Sequence, residues 1–110
     1  MLKDQIAIIT GASRGIGKEI AIKLAGQGMK LAIIGSSAQI SETADELKKK
    51  GFASILPIQA DVSKEEDLQQ VVKKTIDEYG QVDLLVNNAG VGFFKLTEEV
   101  SLEEWKKVCF

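Results

Sequence analysis

Eight residues near the N-terminus, Thr10-Gly11-Ala12-Ser13-Arg14-Gly15-Ile16-Gly17, have the types and spacing to hold phosphate. Glycine tolerates positive φ and brings backbone N–H groups close to an anion. A helical pattern begins near Gly15, so the loop opens onto unsatisfied donors and the positive end of a helix dipole. One or two glycines suffice for a tight strand-to-helix turn, whereas three in this position point to a nucleotide. A P-loop is excluded, because Ala12 stands at its leading glycine and Glu19 where a hydroxyl should meet magnesium. The G-x-G-x-x-G pattern fails as well, because Ile20 occupies the place of its third glycine. What remains is T-G-x-x-x-G-I-G, with the first gap widened.

The loop needs a strand behind it and a helix ahead of it, and the chain supplies this alternation throughout. Gln5 to Thr10 is a short β-branched run, and Ile16 to Gln27 carries apolar residues at helical spacing up to a stop at Gly28. Lys30 to Gly35 is the second strand, and Gln39 to Lys50 the second helix, ended by Gly51. Ser54 to Gln59 is the third strand; Pro57 cannot donate to a ladder and assigns it to a sheet edge. A helix over Ser63 to Tyr79 opens with a Ser63/Glu66 capping box and closes at Gly80. Val82 to Val86 is the fourth strand, and a last helix starts at Ser101, with Glu104 three residues on. Apolar strands alternating with helices predict an α/β fold, a parallel sheet with helices on both faces.

Composition removes several other classes of function. The 110 residues are 45% apolar and carry 14 basic against 16 acidic side chains, which fits one globular domain and gives no basic footprint for nucleic acid. There is no His, and the acids are dispersed, so no metal site is expected. Cys109 is the sole cysteine, read as a packing residue in a reducing setting. The N-terminus moves directly into the first strand, and no stretch is long and apolar enough for a membrane span, so a soluble cytoplasmic protein is expected.

With these motifs in place, the chain resembles the short-chain dehydrogenases/reductases. TGASRGIG at Thr10 to Gly17 and NNAG at Asn87 to Gly90 match the family's two glycine motifs at the ends of the first and fourth strands. Asp61-Val62 matches a pair after the third strand. The resemblance implies a Rossmann-type sheet of strand order 3-2-1-4, and the loop looks most like that of the 3-oxoacyl-acyl-carrier-protein reductase branch, though many sugar and polyol reductases share it. It further implies that Gly11 makes the turn and that Gly15, Ile16 and Gly17 place backbone at the pyrophosphate of a nicotinamide dinucleotide, with Ser13 also among the cofactor-binding residues. Asp61 and Val62 would meet adenine, although Asp61 also reads as a residue of the turn before Ser63. Asn88, Ala89 and Gly90 would approach the ribose, with Asn87 bracing neighbouring strands.

Cofactor preference turns on the end of the second strand. NAD-binding members place an acid there, which would repel the extra phosphate of NADP. Here the residues are Gly35-Ser36-Ser37, with hydroxyls at Ser36 and Ser37 that can donate to a phosphate. Arg14 matches a basic position that pairs with that phosphate, and a cation at the positive end of a helix is misplaced unless an anion binds there. NADP is therefore expected over NAD.

The family's chemistry uses Ser and Tyr-x-x-x-Lys. The sole tyrosine, Tyr79, has Asp83 four residues on and reads as a packing residue. The resemblance therefore implies that residues 1–110 form the cofactor-binding part of a reductase without its catalytic groups, inactive alone. In that arrangement Val82 to Val86 would be a bare edge strand, expected to recruit a second copy or a complementary C-terminal fragment. The alternative is a non-catalytic remnant or interaction module that associates through the same edge.

Overall fold

Alternating apolar runs build the sheet. The computed structural model describes residues 3–13, 15–87 and 90–96, with Asn87 and 90–96 described by backbone alone. The elements run β1 (Ile6–Thr10), α1 (Gly15–Gly26), β2 (Lys30–Gly35), α2 (Gln39–Lys49), β3 (Ile55–Gln59), α3 (Glu65–Tyr79), β4 (Val82–Asn87) and β5 (Gly90–Leu96). The sheet order is β3-β2-β1-β4-β5, parallel from β3 through β4. All five residues of β1 are buried, as a central strand covered on both faces requires.

Side-chain alternation splits the core into two layers. Ala7, Ile9, Leu31 and Ile33 pack with Ala21, Ala25, Ile40, Ala44 and Leu47 under α1 and α2. Ile8, Ala32, Ile34 and Leu85 pack with Leu68 and Val71 of α3 on the other face. Gly28, Gly51 and Gly80, expected as helix stops, all have positive φ. Pro57 sits on edge strand β3, paired on one side with Ile33.

Two expectations need correction. The fourth strand is not a bare edge, because β5 pairs antiparallel with it, from Asn87↔Gly90 to Val82↔Leu96. Its backbone groups therefore have partners on both sides, from β1 and from β5. The second correction concerns Ser63, which does not cap α3. The helix begins at Glu65 with Lys64 in the cap position and no side-chain cap bond. The Ser63 hydroxyl instead donates to Asp61 Oδ1 at 2.6 Å, a local turn that competes with capping. The helix expected from Ser101 and Cys109 within it lie outside the described residues.

Candidate functional site

The C-terminal ends of four parallel strands lie on one side of the sheet, and the turns that leave β1, β2 and β3 gather there. Gly11 and Gly15 have φ of +62° and +64°, the left-handed conformation that a side chain resists. A β-carbon on Gly15 would meet nothing within 4 Å, so the turn is open at this point. A β-carbon on Gly17 would overlap the carbonyl of Gly11, with that carbonyl carbon only 2.8 Å away, so α1 begins hard against the turn. Between them Ile16 is 76% exposed, the one large hydrophobic so exposed among the described residues.

Charge at the helix starts differs in a telling way. The first turn of α3 holds Glu65, Glu66 and Asp67, which complement its dipole, whereas the first turn of α1 has no acid. The N-terminal end of α1 thus keeps its positive potential for an outside anion.

The turn is tied to the second strand and helix. Ala12 N donates to Ile34 O at 3.1 Å, and the Thr43 hydroxyl of α2 donates to Ser13 O at 3.0 Å. A β-carbon on Gly35 would collide with the Ser13 hydroxyl and lie 3.0 Å from Ile40 Cβ. Ser13 is therefore brought against the end of β2, where Ser36 and Ser37 are exposed. Ser37 Oγ accepts from Gln39 N at 3.3 Å, at the start of α2, which leaves its own proton available to a ligand.

Ala60 N donates to Gly35 O at 2.9 Å and brings Asp61 to the same region. Asp61 Oδ1 also accepts from Ser63 N at 3.0 Å, and Asp61 N donates to Asp67 Oδ2 at 2.7 Å. The hydrogen bonds from Ser63, side chain first, hold the Asp61 carboxyl below the usual aspartate range. Val62 is half-buried against the α3 layer. Gly11, Ser13, Gly15, Ile16, Gly17, Ser36, Ser37, Asp61 and Val62 are thus gathered by β1, β2 and β3. Arg14, Asn88 and Ala89 lie outside the described residues, and Gly90 opens β5 opposite Asn87.

Thr43 is the site neighbour that sequence reasoning passed over. Its only signal is a hydroxyl on the apolar face that Ile40, Ala44 and Leu47 define. Tyr79 stands apart from the site. Its hydroxyl donates to Leu31 O at 3.0 Å near the start of β2, and burial, with a smaller push from Glu78, raises it to about 12. Among the described residues no group of side chains could hold a metal ion, and no helix is long and apolar enough to cross a membrane.

A parallel sheet with a glycine-rich turn between its first strand and first helix defines the class of α/β proteins that bind nucleotide at their strand ends. Within that class the chain belongs to the short-chain dehydrogenase family, whose model matches residues 5–109. It is 39% identical to the 3-oxoacyl-[acyl-carrier-protein] reductase of Synechocystis sp. over 110 residues, 97% of this chain and 44% of that protein. L-sorbose reductase from Gluconobacter frateurii, solved with NADPH and L-sorbose, superposes with a TM-score of 0.75 at 33% identity, covering 94% of this chain and 40% of that one. A short-chain dehydrogenase/reductase from Burkholderia phymatum, solved with NAD, gives 0.73 at 32% identity, covering 76% and 30%. The chain spans less than half the length of the curated relatives it matches.

Proposed function

We propose that this chain binds NADP in preference to NAD and forms the dinucleotide-binding part of an NADPH-dependent carbonyl reductase. The observation that carries the reading is the turn itself. It is closed to any side chain at Gly17, open to a ligand at Gly15, and followed by a helix with no acid in its first turn. Gly11, Gly15, Ile16 and Gly17 would hold the pyrophosphate. Ser13, Ser36, Ser37 and Arg14 would meet the additional phosphate, and the absence of an acid at Gly35 favours it. Asp61 and Val62 would face adenine, with Asn88, Ala89 and Gly90 at the ribose.

Bound NADPH supplies a hydride to a carbonyl carbon, and likeness to the acyl-carrier-protein reductases makes a 3-oxoacyl thioester the proposed substrate. These 110 residues contain no Tyr-x-x-x-Lys, so binding without turnover is expected of them, in a cytoplasmic setting. Association through a bare fourth strand is not carried forward, because β5 covers that edge.

Titration calorimetry of the purified chain with NADP and with NAD, repeated on Arg14→Ala, tests the reading. Tighter binding of NADP that weakens in the variant supports it. A folded sample that binds neither dinucleotide overturns it.

A further inference from the structure

Two buried threonines use the same hydroxyl differently. Thr75 of α3 donates to Val71 O at 2.7 Å, the carbonyl one turn back in its own helix, as helical threonines commonly do. Thr43 of α2 is also buried, yet its corresponding contact with Gln39 O is 3.2 Å, and the shorter bond, 3.0 Å, goes to Ser13 O thirty residues away. A hydroxyl has one proton, so the two acceptors share it and the nearer is the turn.

Ser13 lies between Gly11 and Gly15, two glycines of positive φ, a conformation glycine adopts without steric cost. Among the described residues, two bonds from outside restrain this stretch, Ala12 N to Ile34 O and Thr43 Oγ1 to Ser13 O. The first fixes the exit from β1. The second fixes the carbonyl of Ser13.

We propose that Thr43 is a positioning residue for the cofactor turn, holding the Ser13 carbonyl through its hydroxyl so that the turn is preformed for the dinucleotide phosphates. The inference rests on the cofactor reading above and assigns Thr43 no contact with the ligand.

Thr43→Val keeps the branched shape and removes the hydroxyl, whereas Thr43→Ser keeps the hydroxyl. NADPH affinity, read by fluorescence titration, should fall about 3- to 10-fold in Thr43→Val, the worth of one hydrogen bond. It should remain near wild type in Thr43→Ser. Hydrogen exchange without cofactor should accelerate at residues 11–17 in the valine variant and not in the serine variant. Thr43→Ala replaces the valine variant if valine disturbs folding.

Wild-type affinity in the valine variant overturns the proposal, as does a serine variant as weak as valine, since the loss would then follow packing. A wild-type chain that binds no dinucleotide fails the cofactor reading itself. In that case unchanged exchange at residues 11–17 in Thr43→Val also removes the tether, and faster exchange retains it as a restraint on the turn alone.

Discussion

Gly17 faces the carbonyl group of Gly11 across a gap that admits no side chain; a β-carbon there would lie 3.2 Å from Ala12 Cα as well. The obstacle is backbone, which cannot rotate aside. Gly17→Ala should therefore move the turn, cost about 1 to 3 kcal/mol as an overpacking change, and abolish measurable NADP binding. Gly26→Ala, at the end of α1 with open space around it, is the control. It should gain up to about 1 kcal/mol from helix propensity and bind normally. Urea unfolding with parallel titrations reads both.

Gly35 offers a second substitution, aimed at cofactor choice. Gly35→Asp would push the Ser13 hydroxyl aside and set a carboxylate where the extra phosphate of NADP is proposed to lie. Like charges so placed cost several kcal/mol, so NADP affinity should fall by at least about tenfold. NAD affinity should fall less. Equal losses for the two dinucleotides in calorimetry would place the phosphate elsewhere.

Tyr79 is the only tyrosine, so its ionisation can be followed by absorbance without ambiguity. Its folded value, about 12, lies above the ordinary 10.0. A raised value means that its contribution to stability is complete below the ordinary value and is lost as pH climbs through the folded one. Tyr79→Phe should cost about 1 kcal/mol near neutral pH by deleting the bond to Leu31 O. Wild type should lose this advantage over the variant between pH 10 and about 12. Alkaline absorbance titration and urea unfolding across that window check both statements.

Asp61 behaves in the opposite sense. Its carboxyl is held low by Ser63, so its contribution stands above the ordinary aspartate range and is lost as pH falls through the depressed one. Asp61→Ala should destabilise the turn before α3 at neutral pH. The difference from wild type should persist on mild acidification and vanish only in strong acid. Urea unfolding of the two proteins at several acidic pH values measures it.

Local rules made most of this fold legible. Strand β2 follows directly from KLAIIG, a β-branched run between a glycine stop and a serine pair, and Pro57 placed β3 at the edge. The glycine turn was readable because each glycine answers a backbone demand that neighbouring residues impose. Strand β5 was missed because GVGFFKL carries two glycines, weak strand formers, and its pairing depends on an open β4 edge that only the assembled sheet presents. The Ser63 cap failed because two hydrogen-bonding options compete within three residues, and Asp61 takes the hydroxyl. Thr43 was hidden for a simpler reason: a threonine on a helix's buried face names no partner until tertiary structure brings Ser13 to it.

The restraints on the glycine turn also set an order of events during synthesis. Residues 11–17 are contiguous and leave the ribosome together, yet two of the contacts that hold them come from Ile34 and Thr43. Closing such a loop requires β2 to pair with β1 and α2 to dock before the turn is held. A growing chain that exposes only its first strand and helix therefore has the motif without its shape. The two tethers are complete only when the second strand–helix unit is in place, so the earliest sequence signal belongs to a turn held by residues that follow it in the chain.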